Sequence, residues 1–551
     1  MPFIDRFLQM FDYLSVLLRA ATLTFQTATI GGVGFLALVL TQAGPEAGEI
    51  ENTCRQWIRR AALALAATQA LYVATNLTIL TLSAGLSFEE AIGANLVYAA
   101  GLSIAGALAI AYWSAGRRMQ RGALLLLPAA LILVSSAMTS HAAARMDHRL
   151  PLAVLTWLHQ AATAVWIGGL PFLLFVLYTA TTAKFLQETA RRFSRLAFVS
   201  VCVLAGAGTA LGVVYVGTWS GFYGTAYGAM LGGKFLLFAF LLVLGAMNFL
   251  TVRAEPAGGP NGLTRVRCFC EAEIGIGLTV LLAAASLTSQ PPAADLNSDR
   301  LTADEIATRM APQWPRFATP SIAQYAEGSR APAGGIALTG PVYAASIDPA
   351  VKKERARIRQ EQNIAWSEYN HHWAGLVVLA MGLLAVVART NAFPLARNWP
   401  LLFIGLAVFL FFRADAETWP LGHRSFWQSW LSPEDVQHRL FVVLIVAFAI
   451  YEWKVQTGRV KRQVPALVFP GVCLLAGAAL LAHSHSFGNV KEELYAELSH
   501  LPIAILGVLA GWSRWLEIRL PSGDRAKPTL SWIWPVCFVL VGAILLNYRE
   551  A

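Results

Sequence analysis

Histidine and methionine side chains gather in one stretch of the sequence, LVSSAMTSHAAARMDHRLPLAVLTWLHQAATAVWIGGL at residues 133–170. Two apolar segments meet here around a short polar turn, and the side chains with metal-binding chemistry are Met138, His141, Met146, His148 and His159. Neutral imidazole suits copper and zinc, and thioether sulfur selects soft Cu(I). On a helix, Met138 and His141 would share one face. The stretch therefore predicts metal ligands where two helices meet the membrane surface.

The second half of the sequence holds further candidate ligands of the same kind. Glu368 precedes His372 by one helical turn, so the two side chains would lie on the same face. The segment HSHSFGNVKEELYAELSH at 483–500 would place its two carboxylates and its last histidine on one face if residues 490–500 are helical. The candidate metal ligands of this half are His371, His372, His438, His483, His485, Glu493, Glu497 and His500.

The composition is that of a membrane protein. The chain has 551 residues, of which 56% are hydrophobic and 13% charged, whereas soluble proteins carry roughly a quarter charged residues. The mean hydropathy is +0.54. Lys and Arg concentrate in the cytoplasmic loops of such proteins, so the net charge of +10 indicates topology in a lipid bilayer and not a nucleic-acid partner.

Apolar runs long enough to cross a bilayer recur along the chain, and the predicted fold is an all-α polytopic transmembrane bundle of about fourteen spans. Residues 290–370 interrupt them with a soluble composition, including the charged run VKKERARIRQEQ and the Pro- and Gly-containing run RAPAGGIALTGP, which indicates irregular structure. The predicted domains are an eight-span domain at 1–289, an extracytoplasmic insert at 290–370 and a six-span domain at 371–551. The predicted spans are 13–40, 59–83, 91–113, 123–142, 152–178, 196–217, 229–251, 269–289, 371–388, 399–413, 438–456, 464–483, 500–516 and 530–547.

The short loops predict the orientation. Basic residues cluster in the loops that alternate along the span count, for example at 184–195, 253–267 and 454–462, and these loops are therefore expected in the cytoplasm. Both termini are then expected on the outer side of the membrane. All ten histidines fall at the outer surface or in the outer leaflet, which supports a metal-binding layer on that side.

Other chemistry is scarce in the sequence. It contains no P-loop, dinucleotide fingerprint or HExxH motif, and we expect a protein that is not an enzyme. No cysteine falls in an outer loop, and the Cys268-x-Cys270 pair is interpreted as packing, with a cytoplasmic metal exit site as the alternative. Glu271 and Glu273 stand at the cytoplasmic start of the eighth span, where they could help a cation leave. Arg19 and Lys234 lie within spans, where a functional role and simple snorkelling of the charge are both open.

Five segments resemble the copper resistance D (CopD) family of bacterial inner-membrane proteins, over roughly residues 10–295. They are SHAAA (140–144), LTWLHQAATAVWIGGLPFLL (155–174), RRFSRLAFVSVCVLAGAGTALG (191–212), TAYGAMLGGKFLLFAFLLVLGAMNFL (225–250) and EIGIGLTVLLAAASLTSQPPA (273–293). The resemblance implies copper homeostasis, with copper moved across the inner membrane in cooperation with a periplasmic copper-binding protein. It also implies that His141 and His159 contact copper.

Three functions are compatible with the sequence. A copper transporter would capture the ion on the outer histidines and pass it into the bundle. A b-type haem cytochrome would instead need a facing histidine pair, such as His159 with His438 or His372. A copper-delivery or assembly factor would load a periplasmic protein without moving copper across the membrane.

Overall fold

The computed structural model describes residues 2–40, 47–82, 85–115, 122–254, 260–296, 300–320, 349–413, 419–422, 425–427, 433–460, 462–482 and 490–550. Within these ranges the chain forms helices joined by short connections and contains no β-strand. Twelve of the described helices are long and apolar enough to cross a membrane. The two other predicted spans coincide with the shorter apolar helix Ala123–Met138 and with the helix Pro433–Gln456. The prediction of an all-α, multi-pass membrane protein is confirmed.

The helices divide into two compact units. The first unit comprises Met1–Thr302, Ala478–Glu497 and Arg519–Lys527. Its helices before the second unit begins are α1 (Pro2–Gly34), α2 (Ala47–Leu82), α3 (Phe88–Ile92), α4 (Asn95–Ala115), α5 (Leu126–Met138), α6 (His141–Ala144), α7 (Arg149–Thr179), α8 (Ala183–Val216), α9 (Trp219–Tyr223), α10 (Ala226–Ala254) and α11 (Pro260–Leu287).

The second unit comprises Ala303–Gly477, Leu498–Ile518 and Pro528–Ala551. One long helix, α18, has its first two turns in the first unit and most of its length in the second. The remaining helices are α12 (Ala303–Met310), α13 (Pro349–Thr390), α14 (Leu402–Arg413), α15 (Pro433–Gln456), α16 (Gln463–Ala466), α17 (Val468–Ala482), α18 (Val490–Arg519) and α19 (Lys527–Leu546).

Small residues bring α1 and α7 into backbone contact at the centre of the first unit. A Cβ atom at Gly168 would overlap the backbone carbonyl of Thr27, and one at Gly31 would overlap the backbone of Gly168. The adjacent Gly169 faces the ring of Phe193 on α8, 2.6 Å from where its Cβ would lie. Close helix approach at small residues is the usual packing device in membranes, where burial from water supplies little attraction. The WIGGL segment thus fixes α7 against α1 and α8.

An aromatic core and a buried ion network hold the second unit together. Trp399 and Trp534 are each 1% exposed and lie 5.5 Å apart between ring centroids. Beside them the Glu517 carboxylate accepts hydrogen bonds from Arg389, Arg514 and the indole of Trp534. Because these donors surround the carboxylate, its charge is balanced within the bundle.

Residues of the predicted insert belong to both units. The turn Ala293–Asp295 lies in the first unit, and α12 lies in the second. The charged run VKKERARIRQEQ is helical, because α13 already begins at Pro349 and continues through the ninth predicted span. The RAPAGGIALTGP run, for which we predicted irregular structure, lies outside the described residues.

Candidate metal-binding site

His141 lies at the start of the short helix α6, between the end of α5 and the start of α7. Its ring faces the edges of two tyrosines, with ring centroids 5.7 Å from Tyr215 on α8 and 6.3 Å from Tyr227 on α10. Its Nε2 atom is buried and has no hydrogen-bond partner among the described residues. An unpaired buried imidazole nitrogen costs free energy, and a bound metal ion would remove that cost.

The charges near His141 favour its neutral form. Burial lowers the pKa of the imidazole, and the charges of Arg145 and Arg19 lower it further, although Asp295 acts in the opposite direction. Arg145 also pairs with Asp295 at 2.9 Å, which ties the His141 segment to the turn after α11. A metal ligand must be unprotonated, so His141 is held in the form that can bind a cation.

His159 lies deeper in the same unit, on α7 and against α8. A Cβ atom at Gly208 would come 3.1 Å from both Cε1 and Nδ1 of the imidazole. The imidazole is also hydrogen-bonded to the backbone of Leu204, one turn earlier on α8. Its Nδ1 atom and Oε1 of the adjacent Gln160 are both buried without a hydrogen-bond partner in the described chain. Metal-binding histidines commonly donate one ring N–H to a backbone carbonyl and keep the other nitrogen for the metal.

The two histidines contact α8 at different depths. His141 contacts Tyr215, whereas His159 contacts Gly208, seven residues earlier on the same helix. Seven residues correspond to two helical turns, or about 10 Å along the axis. The two imidazoles therefore contact α8 two turns apart.

The other candidates of this stretch are less enclosed. Met138 is the last residue of α5 and is half-buried. Met146 is 96% exposed. His148 is exposed and has a left-handed backbone with φ of 56° at the start of α7.

In the second unit, His372 uses both ring nitrogens within the protein. Nδ1 accepts a hydrogen bond from the backbone N–H of Arg316 at 2.7 Å, and Nε2 donates to the carbonyl of Tyr548 at 3.0 Å. Binding a metal or a haem iron would require one of these bonds to break.

His371 and His500 both contact the ring of Tyr548. The His371 ring stacks on it at 3.8 Å, and the His500 ring meets it edge-on at 6.0 Å. Nδ1 of His371 donates to the Ser367 carbonyl at 2.8 Å, which leaves its Nε2 as the nitrogen able to accept. The structure thus brings these two predicted residues together around Tyr548.

The remaining candidates are placed in part. Residues 490–500 are helical, as the spacing of the two carboxylates requires. Glu493 accepts a hydrogen bond from Gln290 at 2.7 Å, and Glu497 is 6% exposed. His483 and His485 lie outside the described residues, and of His438 the structure describes only the helical backbone.

No group of three or more His, Cys, Asp or Glu side chains that could hold a metal ion occurs in the described parts of the chain. The site residues predicted from the sequence therefore stay predictions. The residues that sequence reasoning missed are those that enclose the two histidines, namely Tyr215, Tyr227 and Gly208. Nothing in their local sequence marks them, because their role depends on how α8 and α10 pack against α6 and α7.

Glu271 was expected to help a cation leave, but the structure places it in an ion pair. Arg519 donates to its carboxylate at 2.7 Å, and the hydroxyl of Tyr178 donates at 2.7 Å. Cys268 and Cys270 are both buried, as the packing interpretation requires.

The fold and these contacts define a multi-pass membrane protein with unsatisfied imidazole nitrogens inside its first unit. Comparison with known proteins finds a family model that matches part of the chain. Residues 187–287 match the family model described as Copper resistance protein D. The resemblance to this family is thus confirmed for part of the region expected. The matched segment contains most of α8 together with α9, α10 and α11, and it begins after His141 and His159.

The chain is also similar to the Copper transport protein CutJ of Bacillus subtilis (strain 168). The two are 33% identical over 163 residues, which is 29% of this chain and 29% of CutJ. The chain therefore spans less than a third of the length of this relative. No solved structure matches the chain.

Proposed function

We propose that this protein is a copper transporter of a bacterial inner membrane, which takes copper from the periplasmic side through His141 and His159. The observation that carries the proposal is the orphaned ring nitrogen of each histidine, buried against helices of the segment that matches the Copper resistance protein D model. Imidazole nitrogen suits copper, and the separate depths of the two residues suit an ion that moves inward. A periplasmic copper-binding protein would deliver the ion to the exposed loop at Met146 and His148.

Metal analysis tests the two histidines. We expect purified protein loaded with copper to retain it after dialysis, and the double variant His141→Ala/His159→Ala to lose most of it. The matched control is Met146→Ala/His148→Ala, which removes two exposed candidate ligands from the same loop and should retain copper. Unchanged copper content in the histidine variant would refute the assignment of these residues.

Uptake of radiolabelled copper into proteoliposomes tests transport itself. We expect saturable uptake by the wild type and background uptake by the histidine variant. A protein that binds copper but takes none into the vesicles would be a delivery factor. An intense Soret band in the purified protein would indicate the b-type haem cytochrome instead.

A further inference from the structure

Glu273 is a carboxyl group buried in the interior of the first unit. It lies on α11 with 2% of its surface exposed. The side-chain amide of Asn248 on α10 donates to its Oε1, and the indole of Trp166 on α7 is also hydrogen-bonded to it. A carboxylate inside a membrane protein is costly unless a positive charge balances it. Glu273 therefore needs a bound proton or a bound cation.

Within the described residues no Lys or Arg forms an ion pair with Glu273, and the surrounding helices bring none close. The helices packed against α11 are α1, α7 and α10. Between Arg19 and its end, α1 carries no ionisable side chain, and α7 carries only Tyr178 after His159. On α10, Arg253 lies over the ring of Phe249 at 4.9 Å, and Lys234 is fourteen residues from Asn248.

The neighbours of Glu273 on its own helix are already satisfied. Glu271 is neutralised by Arg519 at 2.7 Å. The Cys270 thiol is fully buried and bonds the backbone carbonyl of Leu170 at 3.8 Å. Of these two acids on α11, Glu271 has a cationic partner, and Glu273 has none within the described residues.

Glu273 also lies further along the line of the two histidines. Trp166 follows His159 by seven residues on α7, which is two helical turns or about 10 Å along the axis. The same spacing separates the contacts of His141 and His159 on α8. The three buried sites, at His141, His159 and Glu273, thus follow one another through the first unit.

The Glu273 carboxyl is surrounded by a polar side chain and a residue without a side chain. Oδ1 of Asn248 is buried with no hydrogen-bond partner in the described chain. Gly245 on α10 also packs beside the carboxyl, since a Cβ there would lie 3.9 Å from Oε2 of Glu273, an ordinary van der Waals distance. Because the amide turns its nitrogen toward Glu273, the carboxylate is the group that would face a cation here.

We propose that Glu273 exchanges a proton for the transported cation. The carboxyl O–H bond breaks as the cation binds to the carboxylate, and the proton passes to water; when the cation leaves, a proton from water restores the O–H bond, and no electron is transferred. Oxygen ligands hold soft Cu(I) more weakly than sulfur or imidazole does, which suits a site of release. The inference rests on the proposed transport function, and it adds that transport is coupled to protons.

Infrared spectroscopy tests the protonation of Glu273 without requiring transport. Wild-type protein free of copper should show the C=O stretch of protonated carboxyls at neutral pH, and this band should be weaker in the Glu273→Gln variant by the contribution of one carboxyl, because Glu452 and Glu497 are buried as well. Glu188→Gln is the matched control, because it makes the same change at an exposed carboxylate on α8 that pairs with Arg192. An identical band in wild type and Glu273→Gln would overturn the inference.

Proteoliposomes that contain a pH-sensitive dye test the coupling. Copper uptake by the wild type and by Glu188→Gln should change the luminal pH. Uptake by Glu273→Gln should be lost or should proceed without a pH change. Copper uptake with no pH change in the wild type would overturn the inference and leave the proposed function standing. The absence of uptake in a wild type that shows the infrared band would refute transport and leave the protonated Glu273 in place.

Discussion

His159 occupies a space on α8 that is open because residue 208 has no side chain. The imidazole lies 3.1 Å from the position that a Cβ atom of residue 208 would take, so any larger residue must displace it. The same ring bonds the backbone at Leu204. Its orientation is therefore set by two points on one helix, and a change at either point should move Nδ1.

Replacing Gly208 by leucine should weaken copper binding while leaving both histidines in the chain. We expect a loss of affinity of about 10- to 100-fold, as is typical when a group that orients a ligand is altered. Equilibrium binding on the purified protein would measure it. Gly206→Ala is the control on the same helix, because nothing lies within 4 Å of the added Cβ. Equal affinity of Gly208→Leu and wild type would show that His159 does not bind the ion.

Part of the candidate site can be predicted from the types of residue within the membrane spans, and part of it cannot. His141 and His159 can be selected from the sequence, because imidazoles in apolar helices are rare and chemically suited to metals. The difference between Glu271 and Glu273 cannot be predicted from the sequence, since Arg519 lies 248 residues from Glu271, the acid that it neutralises. Electrostatic balance of this kind depends on tertiary contacts that no local pattern encodes.

The contact between α1 and α7 is the clearest case in which a sequence segment determines the position of an element. Both helices present glycine where their backbones meet, and the next glycine on α7 accommodates Phe193 of α8. Since α7 carries His159 and Trp166, its fixed position aligns both with α8 and α11. The WIGGL segment therefore serves the site indirectly.

Gly168→Ala should separate α1 from α7 and destabilise the fold. We expect a cost of about 1–3 kcal/mol, the range typical of overpacking a well-packed interior, seen as a lower temperature of thermal unfolding in detergent. Gly101→Ala on α4 is the control, because its added Cβ meets nothing within 4 Å. If both variants unfold at the wild-type temperature, the α1–α7 contact is not a determinant of stability.

Hydropathy predicts the helices well but does not predict their partners. Within the described residues the predicted spans are largely helical, because a bilayer requires each backbone polar group to be satisfied within its own segment. A helix that is apolar on all sides shows no preferred face, however. The packing of α7 between α1 and α8 therefore could not be derived from periodicity.

At the scale of the whole molecule, each compact unit is built from several separate segments of the chain, whereas the predicted domains are continuous stretches of sequence. The first unit includes Ala478–Glu497 and Arg519–Lys527, which come from the predicted six-span domain. The pairs Gln290–Glu493 and Glu271–Arg519 are two of the contacts that bind these segments to it. Contacts between segments so far apart in the sequence cannot be predicted from its composition.

The predicted orientation of the whole chain can be tested by cysteine labelling. In a background with Cys202→Ser, Met146→Cys should react with a membrane-impermeant maleimide added to intact spheroplasts, since residue 146 is 96% exposed in a predicted periplasmic loop. Val464→Cys, at a position 76% exposed on the predicted cytoplasmic side, should react only after permeabilisation. The opposite pattern would invert the topology and place the histidines in the cytoplasm.

The spacing of the three buried sites has a kinetic consequence. The helix residues that contact successive groups on the proposed path are two turns apart, or about 10 Å along the helix axis, whereas a bond from a metal to a histidine nitrogen is about 2 Å long. An ion on the proposed path cannot be shared between neighbouring sites and must dissociate fully before each step. Its passage would then be slow and saturable at low concentration, with turnover limited by dissociation from the tightest site.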